Sequence, residues 1–184
     1  MSNSENFFES KLKGVWKYTP QAHLDLRGST TEWFSSEHLP SNFRSVNINQ
    51  LLTVKNQKNV IRGIHFSGLQ NAQMKILKCT EGVMMDVVID LRVESETFGQ
   101  HETYILDSKN SETLFIPNGF GHGYQVLSDF TTMEYALQTN FKFNEEYILN
   151  PYDKTLAISW QGDNHILSTK DKGGMDFKSY FEPS

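Results

Sequence analysis

The chain has 184 residues, with 22 acidic and 17 basic side chains and a formal net charge of −5. That length fits one domain with a core of its own, and the acidic balance argues against a dedicated nucleic-acid binder. The single cysteine, Cys79, excludes a disulfide framework and a cysteine-rich zinc module. No apolar run approaches the roughly 20 residues needed to span a membrane. Met1–Ser10 is polar and lacks the apolar stretch of a signal peptide. A soluble protein of the cytoplasm is expected.

Helical periodicity is scarce, and strand-like runs broken by Gly, Pro, Asn and Asp recur instead. In chain order the predicted strands are Val60–Phe66, Met74–Thr80, Val83–Leu91, His101–Leu106, Glu112–Ile116, Gly123–Leu127 and Thr131–Thr139. Turn material separates them, as at Thr80–Gly82, Asp107–Asn110 and Pro117–Gly119. Phe143–Tyr152 reads as a loop with a helical turn, and the polar, Lys-rich stretch from Gly162 as a surface tail. Many short strands with regular turns point to a sandwich or barrel, and the whole of 1–184 reads as one domain.

The six histidines include no His-x-His pair, which argues against a jelly-roll metal site. There is no Gly-x-Ser-x-Gly elbow, P-loop or Gly-x-Gly-x-x-Gly. Cys79 lies in a strand-like run and reads as a small core residue. What remains is a set of polar residues within apolar runs: Arg62 and His65, Lys75, Asp86 and Asp90, and Tyr135. Strict alternation sends Arg62 and Ile64 to one face and Gly63 and His65 to the other, and puts Asp86 and Asp90 on a shared face. Inward-pointing groups of this kind must be paired or used.

Several segments resemble one family in order and spacing. Arg62-Gly63-Ile64-His65-Phe66 resembles the Arg-Gly-Leu-His-Tyr signature of the dTDP-4-dehydrorhamnose 3,5-epimerases, and Lys75 follows the histidine by ten residues, as in that family. Gly82–Arg92, Thr97-Phe98-Gly99 and Phe115–Tyr124 resemble its next strand, turn and Ile-Pro-x-Gly-Phe-x-His-Gly segment. Asp25-Leu26-Arg27-Gly28 with Glu32 resembles an upstream motif. Asp153, Leu156, Ile158 and Trp160, followed by Leu167-Ser168-Thr169-Lys170-Asp171, fit the downstream ones.

The resemblance implies an all-β, cupin-type double-stranded jelly roll with a few short helices. It implies a homodimer that exchanges N-terminal strands, in which residues 1–10 take part and 172–184 form a C-terminal tail. It implies a dTDP-linked 4-keto-6-deoxyhexose as substrate, no cofactor and no metal. His65 is implied as the base, Asp171 as its partner, Lys75 as the cation at the enolate oxygen and Tyr135 as the opposing acid. Arg62 is implied at the diphosphate and His122 in the same pocket. Arg27, Glu32, Asn49, Gln50, Phe141 and Glu146 are implied as further substrate contacts, with Arg27 and Glu32 reaching across the dimer.

The chain departs from the family pattern at Thr30, Ser67, Ala136, Asn140, Phe141 and Leu149. The departures at Thr30, Asn140 and Phe141 leave open a single-centre epimerase on another nucleotide-linked sugar, such as a CDP-linked 3,6-dideoxy sugar. A 3,4-ketoisomerase or a non-catalytic sugar-binding jelly roll stand further off. No nucleic-acid or membrane partner is expected.

Overall fold

The computed structural model describes residues 6–68, 73–140 and 146–181. The strands are β1 (Phe7–Glu9), β2 (Trp16–Tyr18), β3 (Ala22–Asp25), β4 (Gly28–Thr31), β5 (Gln50–Gln57), β6 (Ile61–Ser67), β7 (Lys75–Glu81), β8 (Val83–Asp90), β9 (His101–Asp107), β10 (Thr113–Ile116), β11 (Phe120–Val126), β12 (Phe130–Leu137) and β13 (Glu146–Ile148). Two short helices follow, α1 (Thr169–Lys172) and α2 (Phe177–Phe181). Antiparallel pairing builds a six-stranded sheet, β1-β2-β10-β7-β12-β5, and a five-stranded sheet, β13-β6-β11-β8-β9. The all-β sandwich matches the expected class.

Strand alternation distributes the apolar residues over three layers. Met84 and Val88 of β8 pack with Leu77, Leu114, Tyr124 and Met133 between the sheets. Met85, Val87 and Ile89, on the opposite face of β8, pack against Leu149, Leu156 and Phe177 of the C-terminal segment. Ile76 and Phe115 face outward from the six-stranded sheet under Leu39 and Phe43. Both sheets are therefore covered on their outer faces. This explains why β8 reads as an almost unbroken apolar run rather than an alternating one.

Strict alternation fails at β6. Arg62 pairs with Tyr124 and His65 with His122, so three steps on β6 match two on β11. The extra residue is a bulge, and it turns Arg62 and His65 toward the same cavity while Ile64 joins the outer cluster. Glycine permits it. Gly63 has φ +115°, and a Cβ there would stand 2.7 Å from the Gly123 Cα and 2.8 Å from the His122 carbonyl oxygen.

Two further expectations are corrected. Within Phe143–Tyr152, residues 146–148 form strand β13 on the edge of β6 rather than a helical turn, because Tyr147 stacks on Phe66. The stretch from Gly162 is not simply a surface tail. Ile166 bridges to Val60, and Asp171 and Phe177 are buried. Its few apolar residues dock on the sandwich while the Lys-rich remainder faces outward.

Among the described residues, 6–60 contribute five strands that the apolar pattern does not announce. β1 and β2 extend their own chain's six-stranded sheet through β10. The β3–β4 hairpin forms a two-stranded sheet of its own, with Leu24 and Leu26 exposed to solvent. Among the described residues, no helix is long and apolar enough to cross a membrane.

Candidate active site

A cavity of about 690 Å³ opens between the sheets. This volume is typical of small-ligand sites. One wall is the five-stranded sheet, which presents Arg62 and His65 from β6, His122 and Tyr124 from β11, and Glu146 from β13. The facing wall is the six-stranded sheet, with Lys75 from β7, Tyr135 and Leu137 from β12, and Leu52 and Val54 from β5. Ser168 and the start of α1 close one side.

His65 Nε2 lies 2.6 Å from Asp171 Oδ1. Asp171 reaches this place because Ser168 caps α1. The Ser168 hydroxyl accepts the Asp171 N–H at 3.0 Å and donates to Asp171 Oδ2 at 2.8 Å. Burial alone would raise the Asp171 pKa, but the hydrogen bonds from His65 and Ser168 outweigh it and hold the carboxyl below its usual range. An ionised carboxylate only accepts, so Nε2 carries the hydrogen and Nδ1 keeps its lone pair. Nδ1 is 3.7 Å from Glu146 Oε2.

Beside this dyad stands a second. His122 is the strand partner of His65, and its Nε2 is 2.8 Å from Asp86 Oδ2. Asp86 has no solvent exposure, and its Oδ1 has no hydrogen-bond partner. Lys75 is buried, with its ammonium 3.9 Å from Glu146 Oε1. Burial pulls its pKa below the ordinary lysine value, and the negative charges of Glu146 and Asp86 oppose that only in part. Burial raises the Tyr135 phenol well above its usual value, and Tyr124 and Asp86 add to the effect. Tyr135 therefore remains protonated. Its ring meets that of His122 edge-on at 5.9 Å. Asn56 Oδ1 accepts from Arg62 Nε at 2.8 Å and from the Tyr124 hydroxyl at 3.3 Å, which fixes the guanidinium at the cavity edge.

Seven of the sequence-predicted site residues thus line one cavity: Arg62, His65, Lys75, His122, Tyr135, Glu146 and Asp171. Others lie apart from it. Arg27 sits on the exposed hairpin and pairs with Asp25 at 2.5 Å. Glu32 follows that hairpin, and its carbonyl accepts from the Tyr18 hydroxyl. Asn49 is turned away, with its amide donating to the Gln138 carbonyl at 2.6 Å. Gln50 is the strand partner of Leu137 at the rim. Phe141 lies outside the described residues. Asp90, grouped with Asp86 by alternation, is spent on a knot with Arg92, Ser95 and Thr97.

Leu52, Val54 and Tyr124 were not singled out from sequence. Extending the period-2 reading back along β5 would have put Leu52 and Val54 on one face. No three His, Cys, Asp or Glu side chains among the described residues form a group that could hold a metal ion.

A fixed imidazole base, an ammonium and a protonated phenol from the opposite wall make a site suited to moving protons beside a carbonyl. Comparison with known proteins agrees with that chemistry. The family model for dTDP-4-dehydrorhamnose 3,5-epimerase matches residues 9–179. The chain belongs to the dTDP-4-dehydrorhamnose 3,5-epimerase family. It is 31% identical over 178 residues to the dTDP-4-dehydrorhamnose 3,5-epimerase of Mycobacterium tuberculosis, covering 92% of this chain and 86% of that one. It is 32% identical over 165 residues to the dTDP-4-dehydrorhamnose 3-epimerase of Streptomyces niveus, covering 89% and 80%.

Among solved structures, a 4-keto-6-deoxy sugar epimerase from the novobiocin biosynthetic gene cluster of Streptomyces spheroides superposes with a TM-score of 0.88. It is 30% identical, with 92% and 86% of the two chains covered. A 3′-monoepimerase from Streptomyces bikiniensis in complex with dTDP-quinovose gives 0.84 at 28% identity, with 91% and 86% covered. The chain is thus similar both to proteins named 3,5-epimerases and to proteins named 3-epimerases.

Proposed function

We propose that this member of the family is an epimerase of a nucleotide-linked 4-keto-6-deoxyhexose, working without a cofactor. The observation that carries the proposal is the His65–Asp171 dyad facing a protonated Tyr135 across a cavity that also holds Lys75. The proton on a carbon beside the C4 ketone is weakly acidic, and its loss puts negative charge on the ketone oxygen. His65 takes that proton on Nδ1, and Asp171 stabilises the resulting imidazolium. Lys75 stabilises the enolate oxygen; a preorganised charge in such a site supplies roughly 3 kcal/mol. Tyr135 then delivers a proton to the opposite face of the same carbon; between turnovers it takes one back from solvent, and His65 gives its proton up to solvent. Delivery opposite to abstraction inverts the centre. Arg62 suits the diphosphate, since its remaining guanidinium N–H groups match phosphate oxygens.

Arg27 and Glu32 serve this site from a second copy of the chain. The isolated β3–β4 hairpin, with Leu24 and Leu26 bare and Arg27 away from its own cavity, supports a homodimer that buries it. A nucleotide-sugar substrate fits a cytoplasmic location.

The test is proton NMR of the protein with dTDP-4-keto-6-deoxyglucose in deuterated water. Deuterium at C3 and C5 with inversion marks a double epimerase, and exchange at one carbon marks a single-centre enzyme. Absence of exchange with this sugar and with CDP- and GDP-linked counterparts would refute the reading.

A further inference from the structure

Arg62 stands at a boundary. Besides the active-site cavity it lines a second one of about 590 Å³, and the two cavities share Arg62 and Val60. The second cavity also has Asn56 and Glu81 on its walls. A guanidinium placed here has two destinations. On one side it meets the substrate's diphosphate. On the other it meets the Glu81 carboxylate, whose present partner is the Thr132 hydroxyl at 2.9 Å. Arg62 is exposed, and an exposed arginine spreads over many rotamers unless a neighbour holds it.

That neighbour is Asn56, buried on β5. Its Oδ1 accepts from Arg62 Nε at 2.8 Å and from the Tyr124 hydroxyl at 3.3 Å. A guanidinium can only donate, so the amide must turn its oxygen toward Arg62, and the Tyr124 hydroxyl favours the same orientation. The choice of an amide also matters electrostatically. A carboxylate in this place would hold the guanidinium but cancel its charge. A neutral oxygen fixes Nε and leaves the full charge and the two terminal nitrogens for phosphate oxygens.

We propose that Asn56 is the positioning residue for diphosphate recognition: its amide oxygen keeps the Arg62 guanidinium available to the active-site cavity and out of reach of Glu81. This rests on the epimerase reading above, which places the diphosphate at Arg62.

The test is titration calorimetry with dTDP, CDP and GDP, followed by kinetics with 4-keto-6-deoxyglucose on whichever nucleotide binds best. Asn56→Ala should weaken binding of the diphosphate about threefold to tenfold, the effect of an arginine that has to be ordered at each encounter. KM should rise by a similar factor while kcat stays within about twofold, because the reacting carbon is not involved. Asn56→Val, which also lacks an acceptor and suits a strand, should behave alike and covers the case of an unstable alanine variant. In an Arg62→Ala background the same change should add less than about twofold. Glu81→Gln, at an exposed position, should restore most of the affinity lost in Asn56→Ala.

Unchanged affinity in a folded Asn56 variant would overturn the proposal. So would an equal loss in the Arg62→Ala background, because Asn56 would then act elsewhere. A loss that Glu81→Gln leaves in place would overturn it too, because Glu81 would not be the competitor. Two other results strike the underlying reading instead: an Arg62→Ala protein that binds diphosphate like the wild type removes the diphosphate from Arg62, and a wild type that binds none of the three nucleotides removes the nucleotide-sugar substrate.

Discussion

Replacing Asp171 with Asn tests the acid–base assignment most directly. The bond to be lost is the 2.6 Å contact between Asp171 Oδ1 and His65 Nε2. It is made by a buried carboxylate that Ser168 and the α1 cap hold in place. An amide is the same size and can still accept from Ser168, so the local fold survives. Its NH2 group, however, donates where the carboxylate accepted. His65 Nε2 must then become the acceptor, and the hydrogen moves to Nδ1, the atom that has to be bare.

Two effects combine. The charge-assisted bond, worth about 1.5–3 kcal/mol, no longer stabilises the imidazolium, and the competent tautomer becomes the minor one. A positioned base contributes about 10²–10⁴ in rate, and that sets the ceiling. The expected loss in kcat is about 10²–10⁴-fold, equivalent to about 2.7–5.5 kcal/mol. The melting temperature should move by no more than a few degrees.

The assay is deuterium incorporation beside the ketone at pH 7, with circular dichroism to confirm that the variant is folded. Asp171 is anionic there, because its pKa lies below the usual range. A loss below tenfold in a folded variant would show that His65 does not depend on Asp171 and would sink the dyad.

Tyr135→Phe should abolish inversion while leaving some exchange on the His65 side, so that deuterium enters with retention; inversion at the wild-type rate would remove the phenol from the mechanism. Lys75→Met should lower kcat by about 10²–10³. The wild-type alkaline limb should fall below the ordinary lysine range, since burial depresses the Lys75 pKa; a limb at or above pH 10.5 would contradict this. Gly63→Ala puts a methyl group 2.7 Å from the Gly123 Cα at a positive φ. Strain and overpacking together should cost about 2–5 kcal/mol, readable as a lower denaturation midpoint. For Asp90, burial works to raise the pKa, but Arg92, Ser95 and Thr97 prevail and lower it from 3.8 to about 2. The folded value lies below the unfolded one, so the stabilisation is complete above about pH 4 and is lost as pH falls through about 2. Asp90→Asn should cost about 1–2 kcal/mol at pH 7 and flatten the acid side of the stability curve, whereas an unchanged acid side would count against the knot.

The sequence was most legible where burial made a simple pattern. From β6 to β12 the strands could be read from apolar runs bounded by turns, because both faces of the sheets are covered. It was least legible where burial was lacking or irregular. The hairpin residues are exposed on both faces and leave no period to detect. The bulge at Gly63 breaks the two-residue repeat, and so alternation separated Arg62 from His65 although both face the cavity. Asp171 was found through a resembling motif, since a Lys-Asp pair in a polar stretch carries no signal of burial. Its position depends on the Ser168 cap and on apolar residues far away in sequence. Asp86 and Asp90 looked equivalent by spacing, and only their neighbours distinguish a partner for His122 from a structural knot.

The His65–Asp171 pair also has a consequence for synthesis. The two side chains are 106 positions apart, so the ribosome makes His65 long before Asp171. The Asp171 carboxylate and the Phe177 ring that packs against β8 both arrive with the last segment of the chain. On the proposed mechanism, a chain cut short before residue 168 would lack the partner of its base and part of the cover of its five-stranded sheet.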